Sequence, residues 1–125
     1  PLAVKIAPDM EDKDICLIAD LLVEQGIDAV IATNTTISRT AVAGMEHADE
    51  AGGLSGVPVN KQSTHVVRIL AQQLKGAIPI IAVGGIFCAQ DAQDKLAAGA
   101  ELVQIYTGFI YKGQQLIKEC AQTLK

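Results

Sequence analysis

The chain reads as an α/β protein built on a parallel sheet. Four short apolar runs, Leu2 to Ile6, Ala29 to Ala32, Pro79 to Val83 and Leu102 to Tyr106, alternate with stretches whose apolar residues recur at helical spacing. Aromatic residues make up 3% of the 125 positions and Trp is absent, which leaves the core to Ala, Val, Ile and Leu. Parallel strands buried on both faces have that composition. Each run also ends in a polar or glycine cluster, and such strand ends are where parallel sheets assemble ligand sites.

The elements follow in order. Leu2 to Ile6 is the first strand, and Asp9 to Lys13 supplies an acidic helix start, after which Ile15, Ile18 and Leu22 mark a buried stripe that Gly26 ends. Ala29 to Ala32 is the second strand. The polar, glycine-rich segment from Thr33 to Pro58 is longer than an ordinary connection, and length of that kind points to function. A helix from about Lys61 to Leu74 buries Val66, Ile69, Leu70 and Leu74. Pro79 to Val83 is the third strand, followed after Gly84-Gly85 by a helix with Ala89, Ala92 and Leu96 on one face, closed by Gly99. Leu102 to Tyr106 is the fourth strand, and the last helix carries Leu116, Cys120 and Leu124 on one stripe.

Four strand–helix units joined by right-handed crossovers fit a small doubly wound sheet or half of an eightfold barrel, which needs roughly 250 residues in full. The chain starts on a strand, without Met, and finishes on a helix, as half a barrel would. The sequence is therefore expected to continue upstream.

Composition limits the partners. Half the residues are hydrophobic and 19% are charged, which fits one globular unit. The net charge is −4, the ten Lys and Arg are scattered, and nucleic acid is not an expected partner. No signal peptide or membrane-length apolar run is visible. Cys16, Cys88 and Cys120 are odd in number and lack C-x-x-C spacing, so they read as reduced, mostly buried thiols of a cytosolic compartment, with no metal site.

The candidate chemistry sits at the strand ends. Lys5 interrupts an apolar strand, where a buried ammonium needs an acceptor; the other reading lays its stem along the sheet with its head in solvent. Thr33-Asn34-Thr35-Thr36 offers hydroxyls and an amide suited to a planar heterocycle with carbonyl and imide groups, although Thr and Asn after a strand also serve as ordinary turn residues. Gly52-Gly53-Leu54-Ser55-Gly56, Val83-Gly84-Gly85 and Tyr106-Thr107-Gly108 let backbone N–H groups approach a phosphate closely, or simply make turns. His47 and His65 lack companions at ligand spacing and take no metal or acid–base role, and Asp9, Glu11, Asp12 and Asp14 read as charge at a helix start.

In this order, Val4-Lys5-Ile6-Ala7-Pro8-Asp9, Ala32-Thr33-Asn34-Thr35-Thr36, Gly52-Gly53-Leu54-Ser55-Gly56, Ile80 to Gly85 and Leu102-Val103-Gln104-Ile105-Tyr106-Thr107 closely resemble the C-terminal half of the class 2, quinone-dependent dihydroorotate dehydrogenases. The resemblance runs over essentially all of residues 1–125 and is specific in combination rather than in any one motif. It implies strands five to eight of a TIM-type (β/α)8 barrel that binds FMN, oxidises dihydroorotate to orotate in pyrimidine biosynthesis and passes electrons to a membrane quinone. It implies a peripheral enzyme on the cytoplasmic side of the inner membrane. By the same resemblance Lys5 and Thr33 would contact the flavin, Asn34 and Thr35 would bind the pyrimidine, and Gly56, Gly85, Tyr106 and Thr107 would hold the cofactor and its phosphate.

The family's general base, a serine, belongs to the other half of the barrel, and Ser38, Ser55 and Ser63 do not match its motif. The catalytic residue is thus expected outside this chain, along with the N-terminal half of the barrel. The chain alone is expected to be inactive and to self-associate through exposed strand edges. Two other readings stay open on the residues: a different FMN or phosphate-binding barrel oxidoreductase, and a non-catalytic, self-associating half-barrel domain.

Overall fold

A computed structural model describes residues 1–123 as four strands, five α-helices and two short 3-10 helices, Thr40–Val42 and Val57–Val59. The order is β1 (Ala3–Ile6), α1 (Asp12–Glu24), β2 (Ala29–Ala32), α2 (Asn60–Leu74), β3 (Ile80–Val83), α3 (Ala89–Ala97), β4 (Leu102–Gln104), α4 (Thr107–Lys112) and α5 (Gln114–Thr123). All three strand pairs are parallel and the sheet order is β1-β2-β3-β4. A doubly wound sheet reverses its strand order at a switch point, whereas consecutive order is the topology of a barrel arc.

The register sets two faces. Ile6, Ala32, Ala82 and Val103 align in one row, and Lys5, Ile31, Ile81 and Leu102 in the neighbouring row on the opposite face. The helices lie on the first face, where Val30, Ala32, Ile80 and Ala82 meet Ile15, Ala19 and Leu22 of α1 and Val66, Val67, Leu70 and Leu74 of α2. Full burial of a side chain such as Leu70 stabilises by about 1.5–3 kcal/mol. A second cluster of Ile86, Ala92, Leu116 and Cys120 joins α3 to α5. The opposite face has no covering helix among the described residues, and Leu102 there is exposed.

The sequence reading needs several corrections. A separate helix, α4, starts at Thr107, and β4 stops at Gln104, because Tyr106 turns the chain out of the sheet. Asp9 does not cap α1; Glu11 precedes that helix, and the Asp9 carboxylate faces the loop after β2 instead. His65 and His47 do have acidic partners, Asp12 and Glu50, each at 2.7 Å, but both pairs are exposed and such pairs contribute only about 0–1 kcal/mol. Cys120 is buried and its thiol is pushed up by burial, with further contributions from Cys88, Glu119 and Asp91; Cys88 is exposed at the start of α3. Leu124 lies outside the described residues.

Among the described residues Lys95 is the one buried charged side chain. It is 0% exposed, and its ammonium donates to the Asn60 carbonyl at 3.0 Å, to Thr64 Oγ1 at 2.7 Å and to Ser63 Oγ. Three acceptors match its three protons. Burial lowers its pKa from 10.5 to about 8, with Asp91 and Asp94 opposing the shift. Between those two values the unfolded chain holds a proton that the folded one has released, so stability rises with pH through that window. Relative to Lys95→Met, the unfolding free energy of the unaltered protein should therefore gain up to about 1.4 kcal/mol per pH unit from pH 8 to 10.5, measured by denaturant titration. A difference that stays flat across the window would contradict the assignment.

Candidate functional site

Because every strand is parallel, all four strand ends open on one side. A cavity of about 220 Å³ there is lined by Lys5 from β1, Thr33, Asn34 and Thr35 after β2, Ser55 and Gly56 before α2, Gly84 and Gly85 after β3, and Tyr106 and Thr107 after β4. The eight residues to which the resemblance gives roles thus converge on one pocket, whereas Thr36, Gly52, Gly53, Leu54 and Gly108 of the same clusters do not line it. Val59, Val83, Ile86 and Gln104 complete the lining. Lys5 is its only charged side chain among the described residues, and no carboxylate faces it, which suits an anionic ligand.

Local chemistry shapes each wall. Asn34 accepts the Thr35 N–H on its side-chain oxygen at 2.9 Å, which directs its amide donors away from that turn, while Thr33 is buried and its hydroxyl donates to the Asn34 carbonyl at 2.9 Å. Thr36 and Leu54 exchange backbone hydrogen bonds of 3.0 and 2.8 Å, so the long segment leaves and returns at one point beside the pocket. Arg39 fastens the excursion by donating to the carbonyls of Thr36, Glu50 and Gly52. Lys5 is exposed and has no acceptor among the described residues, so its head is available to the pocket rather than committed to the fold.

The supports beneath the pocket escaped the sequence reading. Gln62 Nε2 donates to the Pro8 carbonyl at 3.1 Å and to Asp9 Oδ1 at 3.2 Å. Asp9 in turn accepts the Thr36 hydroxyl and, at 3.0 Å, the Ile37 N–H. Burial would raise the Asp9 pKa, but these hydrogen bonds from Thr36, Ile37 and Gln62 hold it below the ordinary carboxylate value. On the other side Asn60 Nδ2 donates to the Gly85 carbonyl at 2.8 Å and to Asp91 Oδ1 at 3.2 Å, and the Ser63 hydroxyl reaches the Gly84 carbonyl at 3.3 Å. Thr107 Oγ1 donates to Ser55 Oγ at 3.0 Å.

Gly85 shows why that turn is glycine. Its φ is +71°, and a Cβ there would stand 2.5 Å from Asn60 Cβ. Neither the Gly84 nor the Gly85 N–H has a protein acceptor among the described residues, so both remain able to donate to a ligand. Asn60 stands at the start of α2, yet its side chain bonds the neighbouring loop instead of its own helix. Lys95 did leave a signal, since it falls three residues after Ala92 and one before Leu96 on an apolar stripe where lysine is out of place.

Comparisons with known proteins place the whole chain within one family. The family model described as dihydroorotate dehydrogenase matches residues 1–125. The dihydroorotate dehydrogenase (quinone) of Pseudomonas fluorescens (strain Pf0-1) is 60% identical over 124 residues, 99% of this chain and 37% of the relative. That of Marinomonas sp. (strain MWYL1) is 64% identical over 119 residues, 95% of this chain and 34% of the relative. The crystal structure of DHODH from Eimeria tenella in complex with ferulenol superposes with a TM-score of 0.91 at 41% identity, covering 98% of this chain and 32% of that one. The chain therefore spans about a third of the length of the relatives it matches. Its parallel arc corresponds to part of a TIM-type barrel. With its whole length matched, this chain belongs to the dihydroorotate dehydrogenase family.

Proposed function

We propose that residues 1–125 form the C-terminal half, strands five to eight, of the FMN-binding barrel of a quinone-dependent dihydroorotate dehydrogenase. In that enzyme dihydroorotate is oxidised to orotate in de novo pyrimidine biosynthesis, and the electrons pass to a membrane quinone. The observation that carries this reading is the convergence of Lys5, Thr33, Asn34, Thr35, Gly56, Gly85, Tyr106 and Thr107 on one pocket.

The residues fit FMN on physical grounds. Among the described residues, two adjacent glycines at positive φ present N–H donors without protein acceptors, a Lys stands without a carboxylate, and hydroxyl and amide groups lie between them. That donor set matches a phosphate at one end and a carbonyl-rich heterocycle at the other. At about 220 Å³ the cavity falls short of the roughly 300–1,000 Å³ of complete ligand sites, and the unpaired edges of β1 and β4 are where a further wall would join.

Bound FMN supplies the acceptor for the hydride equivalent that leaves dihydroorotate. Lys5 places a positive charge at the end of β1, where negative charge gathers as the reaction proceeds. The Asn34 amide and the Thr35 hydroxyl hold the pyrimidine and fix its orientation. Thr33, Gly56, Gly85, Tyr106 and Thr107 hold the cofactor. The proton-accepting base is contributed from outside these residues, and Ser38, Ser55 and Ser63 take no part as a base. Peripheral attachment at the cytoplasmic face of the inner membrane would be made by a segment outside this chain; separately, no helix among the described residues is long and apolar enough to cross a membrane.

In a full-length enzyme carrying this sequence, Lys5→Ala should slow single-turnover flavin reduction by roughly a hundredfold or more, because a charge aimed at the reacting centre acts on the chemical step. Stopped-flow absorbance measures this, and near-normal reduction in a folded, FMN-loaded variant would reject the role. The chain by itself should show no dihydroorotate oxidation with added FMN and should associate, most simply as a dimer, through the edges of β1 and β4. A monodisperse monomer in light scattering contradicts the association, and turnover with a quinone acceptor contradicts the need for the rest of the barrel.

A further inference from the structure

Lys95 touches nothing in the pocket, yet every acceptor it uses belongs to the helix start that carries the pocket's glycine turn. Its ammonium binds the Asn60 carbonyl, Ser63 Oγ and Thr64 Oγ1, all within the first turns of α2. Two of those residues hold the turn after β3, Asn60 through the Gly85 carbonyl and Ser63 through the Gly84 carbonyl. The path from Lys95 Nζ through Ser63 Oγ to the Gly84 backbone is only two hydrogen bonds long.

The charge itself is unusual in this place. Among the described residues no carboxylate contacts the ammonium; Asp91 and Asp94 act on it only at longer range. Asp91 is already committed to the N–H groups of Phe87 and Cys88 and to the Asn60 amide. The start of a 15-residue helix also carries partial positive charge of its own, which a buried cation opposes. Such an arrangement is costly in isolation and becomes favourable when an anion sits close by. The two N–H groups of the Gly84–Gly85 turn, which have no acceptor among the described residues, mark where that anion would bind.

We propose that Lys95 is a positioning residue for the phosphate subsite: it locks the first turn of α2, on which the Gly84–Gly85 turn hangs, and places a fixed positive charge behind the bound phosphate. This rests on the reading of the pocket as an FMN site. It adds a requirement that the FMN site alone does not impose, namely that Lys95 matters for the phosphate and not for the ring.

Riboflavin, which is FMN without its phosphate, separates the two. Binding of FMN and of riboflavin to the apoprotein of a full-length enzyme carrying this sequence can be followed by quenching of flavin fluorescence, in the unaltered protein, in Lys95→Met and in Lys95→Gln. The expected result is a Kd for FMN raised about tenfold or more in both variants, with that for riboflavin changed by less than about threefold, so that the preference for FMN shrinks. Equal weakening of both ligands would make Lys95 a purely structural residue and overturn the proposal, as would no weakening of either. The Gln variant keeps a hydrogen-bonding head if the Met variant does not fold. An unaltered protein that binds riboflavin as tightly as FMN would instead overturn the phosphate subsite, and the FMN reading of this turn with it.

Discussion

Asn60, Gln62 and Ser63 occupy one turn of α2, yet their side chains leave that helix to hold loops that follow two different strands. Gln62 ties the loop after β1 and, through Asp9, the Thr36–Ile37 backbone after β2. Asn60 and Ser63 tie the turn after β3. Each bond is worth only about 0.5–1.5 kcal/mol in net stability. Their effect on geometry is larger, because parallel strands of three or four residues leave loop ends that backbone pairing alone does not place. Lys95 then fixes the turn from behind, so a buried charge sits beneath the group of residues that shapes the pocket.

This arrangement follows from topology. In an unreversed parallel sheet with its helices on one face, every strand ends at the same rim, and a helix that starts between two strand ends can reach the loops on both sides. α2 begins between the ends of β2 and β3; it holds the turn after β3 directly and the loop after β2 through Asp9 of the β1 loop. The far face of the sheet carries Lys5, Ile31, Ile81 and Leu102 in one row, a mostly apolar layer of the kind that fills a closed barrel. The pocket and this apolar layer are therefore two products of the same strand alignment, one polar at the rim and one apolar below it.

Much of this was legible in the residues. The apolar runs located all four strands to within two residues, and the glycines after α1 and α3 marked helix ends because positive φ is needed there, at +66° for Gly26 and +112° for Gly99. The strand-end clusters were legible because strand ends gather by topology, and the family resemblance singled out eight residues within and beside them. What the sequence hid were side chains whose partners are distant along the chain: Asp9 looks like helix-start charge until the loop 27 residues away is in place, and nothing marks Asn60 until Gly85 is. The boundary at Thr107 was hidden for a related reason, since Leu102 to Tyr106 has strand-like composition throughout and only the turn at Tyr106 ends the pairing at Gln104.

The central claim is that the first turn of α2 holds the strand-end loops in place. Amide hydrogen exchange tests it in the apoprotein of a full-length enzyme bearing Asn60→Ala together with Gln62→Ala. The account predicts faster exchange at the Ile37 and Ser38 amides, which rely on Asp9 and Thr36, and at the Phe87 and Cys88 amides, which rely on the Asp91 carboxylate that Asn60 holds, with the amides of β2 and β3 unchanged. Loop exchange as slow as in the unaltered protein would contradict it.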